Sequence, residues 1–181
     1  MKVGILNIGG NTASIWYAIE RLGYKASLIE RIKDQNAIII PGQGKFNTGL
    51  SRISSDLKEE ILFFKGPVIG ICLGMQLLFD ISEEGPGNGL GIFNGSLTRL
   101  PIKAQVPHIG WDKCSDKQYY YFAHSYYVPA NGQKWKDLTC NYAKIDFIAS
   151  CHKNNFIGCQ FHPEKSGKAG HEFLKKCLTL A

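Results

Sequence analysis

The chain has 181 residues, 44% of them hydrophobic and 20% charged, with a formal net charge of +6. That length buries one substantial core, and the balance excludes a disordered, fibrous or membrane-spanning chain. The lysines stand singly or in pairs such as Lys175-Lys176, with no arginine stripe among aromatics, so the positive excess fits a solvated surface or an acidic partner face rather than nucleic acid.

In chain order, residues 3–8 read as a first buried strand, too polar at its end for a signal peptide. Asn11-Thr12-Ala13-Ser14 offers an N-cap to a helix that runs to Leu22 and closes at Gly23. Residues 25–30 read as a strand, and Ala37-Ile38-Ile39-Ile40 as a short apolar one ending at Pro41. An amphipathic helix over residues 56–64 leads to the strand Val68-Ile69-Gly70-Ile71, and a helical pattern begins at Leu73 and extends to Phe79. The second half turns to strands at residues 96–100, 119–128 and 156–161, with a hairpin over 139–151 and a closing helix over 169–180. The alternation predicts an α/β fold: a mostly parallel open sheet with helices on both faces and extra β-hairpins in the second half. No linker or repeat divides the chain, so residues 1–181 are expected to form a single domain.

Cys72 stands where the short apolar strand meets the helical pattern, with Gly70 and Gly74 two residues to either side. A strand-to-helix elbow this sharp needs small neighbours, and it displays a nucleophile at the carboxyl edge of a sheet, beside a helix N-terminus that favours the thiolate. A cysteine nucleophile needs a base. His162 ends the last strand-like run, Pro163 stops that run, and Glu164 stands two residues beyond the imidazole, where a carboxylate orients the ring and stabilises its charged form. The loop Pro41-Gly42-Gln43-Gly44 follows an apolar strand and is rich enough in glycine to aim backbone N–H groups at an oxyanion; the amide of Leu73, next after the nucleophile, is the second expected donor. Cys151-His152 with Cys159 and His162 fits no zinc spacing, and strand alternation sends Gln160 and His162 to one face and Cys159 and Phe161 to the other. No metal site is expected. The remaining cysteines form no Cys-x-x-Cys pair and read as reduced thiols of a cytoplasmic protein, with Cys114, Cys140 and Cys177 as small core residues.

Gly70-Ile71-Cys72-Leu73-Gly74-Met75-Gln76 and Gln160-Phe161-His162-Pro163-Glu164 resemble the signatures of class I, triad-type, glutamine amidotransferases, and the likeness covers essentially the whole chain. Within that class, Pro107-His108-Ile109-Gly110-Trp111, Tyr119-Tyr120-Tyr121-Phe122-Ala123-His124-Ser125-Tyr126 and Lys165-Ser166 are similar to the glutaminase subunits of imidazole glycerol phosphate synthase. The resemblance implies a flavodoxin-like fold and hydrolysis of L-glutamine to glutamate and ammonia by Cys72, His162 and Glu164, without a cofactor. It implies an oxyanion loop containing Gly42 and Gly44, which in this subfamily flips before the hole is formed; Gln43 stands where the subfamily has valine. Gln76, Glu84 near the end of the helix after Cys72, Ser125 and Tyr126 match positions that contact glutamine. Asn11, Pro107, His108, Trp111, Tyr121 and Lys165 match positions near the interface with a partner. That partner would be a (β/α)₈-barrel cyclase, joined in a heterodimer, which uses the ammonia to make imidazole glycerol phosphate and aminoimidazole carboxamide ribotide in histidine biosynthesis. The alternative is a paralogous glutaminase serving a synthase of an amidine-type sugar for a surface polysaccharide.

Overall fold

Val3, Gly4, Ile5 and Leu6 leave no polar face, so strand β1 (Lys2–Leu6) must be covered on both sides. The computed structural model, which describes residues 1–180, places it inside a seven-stranded sheet. Helix α1 (Thr12–Arg21) follows, capped by the Asn11 side-chain oxygen, which accepts from the Ser14 N–H at 3.3 Å, and ended near Gly23 at φ +81°. Strands β2 (Lys25–Ile29) and β3 (Ala37–Ile40) pair parallel to β1 on its two sides. Helices α2 (Phe46–Ser51) and α3 (Ser55–Phe63) lead to β4 (Val68–Ile71), which is parallel to β3 and buried at every position.

Helix α4 (Leu73–Gln76) is a single turn, followed by strands β5 (Phe79–Ser82) and β6 (Phe93–Arg99). Strands β7 (His108–Lys113) and β8 (Tyr119–His124) make a separate antiparallel hairpin, and β9 (Tyr126–Tyr127) pairs with β6. Strands β10 (Lys136–Tyr142), β11 (Ile145–Lys153) and β12 (Phe156–Cys159) complete the main sheet, and α5 (Gly167–Thr179) closes the fold. The order is β10-β11-β12-β4-β3-β1-β2, parallel from β12 to β2 and antiparallel beyond it, as expected of a mostly parallel sheet with an added hairpin. The turn of that hairpin places Ala143 and Lys144 at φ +50° and +66°, the double left-handed geometry of a tight two-residue connection. One apolar layer (Ile5, Ile19, Phe161, Leu174) covers one face of the sheet and a second (Leu6, Ile38, Phe46, Ile61, Phe93) the other. No helix among the described residues is long and apolar enough to cross a membrane.

Two local expectations are corrected. The helical pattern from Leu73 to Phe79 breaks after one turn, because Phe79 enters β5 and is fully buried against Phe93 and Trp135, with ring centroids 5.3 Å from each; tertiary packing overrides a local pattern. The single strand expected over residues 119–128 breaks at Ser125 into β8 and β9, which belong to different sheets. Strands β5 and β7 and helix α2 were not legible at all. The parallel run β3-β4-β12 brings three carboxyl ends to one sheet edge, where open α/β sheets bind ligands.

Candidate active site

Cys72 leaves β4 at φ +53°, ψ −108°, a conformation that a side chain rarely adopts. Its neighbours show why the elbow needs glycine. A Cβ on Gly70 would lie 2.6 Å from the Gly74 carbonyl oxygen, and one on Gly74 would lie 1.8 Å from that of Ile40. Both obstacles are backbone and cannot swing aside, so Gly74→Ala is expected to lower the unfolding free energy by about 3 kcal/mol or more. Urea unfolding checks this; a wild-type midpoint would contradict the strained elbow.

The Cys72 sulfur has the Ala123 carbonyl and the Gln160 amide nitrogen each at 3.7 Å. Helix α4 is too short for a developed macrodipole, so the support expected from a helix N-terminus is confined to its first amides. The stronger charge comes from His162. Its backbone N–H donates to the Tyr121 carbonyl at 2.9 Å, which ties the end of the main sheet to β8. Its Nδ1 lies 2.9 Å from the Glu164 carboxylate, in a side-chain pair 9% and 1% exposed. Burial alone would strip the proton from this ring, but contacts with Cys72 and Glu164 outweigh it and push the imidazole up from 6.5 to about 10. The stabilisation supplied by these contacts is therefore full below pH 6.5 and is lost as pH rises through about 10. Over that alkaline range the urea midpoint of the wild type is expected to fall more steeply than that of His162→Gln. Parallel curves would show that the ring keeps no extra proton.

A cleft of about 170 Å³ opens over the sulfur. Cys72, Leu73, His162, Gly44, Gln76, Glu84, Ser125 and Tyr126 all line it, so most of the residues singled out in the sequence meet there. Glu164 stands behind His162, and Gly42 behind Leu73, where a Cβ would lie 2.5 Å from that of Leu73. Glu84 follows β5 rather than ending a helix, and its carboxylate accepts from the Phe46 N–H at the start of α2 at 2.7 Å. A larger hollow of about 610 Å³ lies along α5, between it and the β10-β11 edge, and shares none of these residues.

The residues matched to an interface separate. Pro107 and Lys165 line the cleft, while Trp111 and Asn11 lie exposed outside it. The Trp111 and Tyr121 rings, on the β7-β8 hairpin, are 6.0 Å apart, and the Lys165 ammonium reaches to 5.7 Å from the Tyr121 ring from the turn after β12. His108 does not reach the surface. It is 1% exposed and stacked between Phe122 and Tyr142, with its ring nitrogens 3.0 Å from His124 Nε2 and 2.6 Å from the Asp112 carboxylate.

Sequence reasoning missed two residues at the cleft. Gln160 is fully buried between Gln76 and Cys72, and His124 lines the cleft with its Nδ1 2.9 Å from the Tyr126 carbonyl. Strand alternation had put Gln160 on the face of His162, but a neutral amide carried no chemical signal. Among the described residues no cluster could hold a metal ion, and all six cysteines are buried and unbridged. A cysteine sulfur whose proton is held on the neighbouring imidazole, itself backed by a carboxylate, is chemically equipped to attack an amide, and the imidazolium to protonate the departing nitrogen.

The pattern of the family Glutamine amidotransferase class-I matches residues 7–181. The imidazole glycerol phosphate synthase subunit HisH of Caldanaerobacter subterraneus subsp. tengcongensis is 39% identical to this chain over 97% of it and 100% of the relative. The protein of the same description from Pyrobaculum aerophilum is 34% identical over 100% and 99%. Among solved structures, one described as a glutamine amidotransferase superposes with a TM-score of 0.78 at 18% identity, covering 97% of this chain and 98% of the other. The structure of PurLQS from Thermotoga maritima gives 0.73 at 17% identity, over 98% and 96%. These two likenesses speak for the fold. With the elbow, the buried imidazole and the family match over nearly its whole length, this chain belongs to the class I glutamine amidotransferases.

Proposed function

We propose that the chain is a single-domain glutaminase subunit that hydrolyses L-glutamine and passes the ammonia to a partner synthase of histidine biosynthesis. The convergence of Cys72, His162 and Glu164 at one sheet edge carries this reading. The Cys72 sulfur attacks the side-chain amide carbon of glutamine, and backbone N–H groups of Leu73 and the Gly42–Gly44 loop receive the oxyanion. The tetrahedral adduct collapses as His162 protonates its amide nitrogen, which departs as ammonia and leaves a glutamyl thioester on Cys72. The now neutral imidazole takes a proton from water, the resulting hydroxide attacks the thioester, and glutamate departs as the sulfur regains its charge or proton. Glu164 keeps the ring oriented through both transfers. Ser125 and Tyr126, with Gln76 and Glu84, hold the amino acid head of glutamine.

The names of the relatives favour the histidine-pathway synthase over a sugar-modifying one. The partner is then a (β/α)₈-barrel cyclase, docked over Trp111, Tyr121 and Lys165, with the ammonia released toward it. Glutamate release by the chain mixed with that cyclase tests the reading. Glutamate formed in step with imidazole glycerol phosphate supports it, and no glutamate from the mixture overturns it.

A further inference from the structure

The hydrogen bonds beneath the cleft have a polarity that can be read without seeing hydrogens, because one member is a backbone carbonyl and can only accept. The Tyr126 carbonyl receives the Gln76 side-chain nitrogen at 3.1 Å, and the same nitrogen reaches Gln160 Oε1 at 3.1 Å. Both N–H bonds of Gln76 are thereby used. Turning Gln76 would set its oxygen against the Tyr126 carbonyl, and turning Gln160 would set its NH₂ against that of Gln76. Gln160 must therefore present its own NH₂ to the Cys72 sulfur, 3.7 Å away. The free group that Gln76 offers the cleft is its carbonyl oxygen, which suits an ammonium and not a carboxylate.

From this polarity we infer that Gln160 is a positioning residue: it accepts the second N–H of Gln76, bracing that amide with its oxygen toward the ammonium of glutamine, and gives the nucleophilic sulfur an N–H donor. The inference rests on the glutaminase reading of Cys72. A donor favours thiolate, whereas the Ala123 carbonyl on the other side of the sulfur can interact only with the thiol S–H. The titratable groups around this arrangement are His162, Glu164 and Lys165 after β12, His124 at the end of β8 and Glu84 after β5. Of these, His162 supports the thiolate by charge. Gln160 supports it by hydrogen bonding from a fully buried position that water does not reach.

The test uses the full chain and the alkylation of Cys72 by iodoacetamide as a function of pH, with Cys72→Ala as the background for the other cysteines. Gln160→Met keeps the size and removes both hydrogen-bonding roles; Gln160→Glu keeps the acceptor toward Gln76 and removes the donor to sulfur. In both, the alkylation midpoint is expected to rise by about one pH unit, a tenfold loss of thiolate at fixed lower pH. The glutamine concentration that halves the alkylation rate should rise about tenfold in Gln160→Met, whose Gln76 is held by the Tyr126 carbonyl alone, and little in Gln160→Glu. Midpoints equal to wild type in the folded variants would overturn the inference; should the methionine variant not fold, the near-isosteric glutamate variant decides. Failure of glutamine to protect wild-type Cys72 would instead refute the glutaminase reading, leaving the shift in midpoint to be judged by itself.

Discussion

Cys72→Ala is expected to lower glutamine hydrolysis by about 10⁴-fold or more while leaving the fold unchanged, since removing a covalent nucleophile disables every later step. The substitution deletes one sulfur at a position 7% exposed, and alanine there inherits the same φ of +53° that cysteine already tolerates. The elbow is held by its glycines and by the Cys72 N–H, which donates to the Cys159 carbonyl at 2.8 Å, and neither depends on the side chain. Partner binding should therefore survive. A complex carrying Cys72→Ala should still make its product when an ammonium salt replaces glutamine, because the proposed function puts the acceptor chemistry on the other subunit. Glutamate release within tenfold of wild type would end the nucleophile assignment. Loss of the ammonium-supported reaction would show that ammonia is not what the chain delivers.

The second large effect is expected from the partner itself. Alone, the chain should be a poor glutaminase, and binding the cyclase and then its acceptor substrate should raise glutamate release by about 10²–10³-fold, the amount that one oxyanion donor supplies. Two features place the control at the cleft. Gln43 lies exposed between two glycines, and Gly44 holds φ +108°, so this loop can rotate a peptide without a side chain opposing it. Lys165 lines the same cleft, adjoins Glu164 in the turn after β12, and lies over the ring of Tyr121 on the β7-β8 hairpin. A partner pressing on Trp111 and Tyr121 would thus touch the triad and the cleft through one side chain. Coupling of this kind keeps ammonia from escaping before an acceptor is bound. The measurement is glutamate release by the chain alone, with the cyclase, and with cyclase and acceptor. Equal rates in the three would leave a freestanding amidase.

What the amino-acid sequence determined by itself was everything governed by nearest neighbours along the chain. Gly70 before Cys72 marks an elbow because the Cβ it lacks would strike the Gly74 backbone four residues on. The unbroken apolar runs of β3 and β4 dictate strands covered on both faces, and Asn11 dictates the start of α1. The tertiary structure decided what depends on partners remote in sequence. The parallel register that sets Cys159 opposite Ile71 carries His162 to the sulfur, and no local rule contains that register. Phe79 left its helical pattern for a strand because an aromatic cluster buried it there. Glu84 turned to the first amide of α2, and His108, matched to an interface position, turned inward to Asp112 and His124. Gln160 shows the division most clearly. Alternation along β12 placed it on the right face, but the direction of its amide follows from the Tyr126 carbonyl acting through Gln76. Side-chain identity and local sterics are properties of the chain, whereas the polarity of a buried hydrogen-bond network exists only once distant segments have packed together.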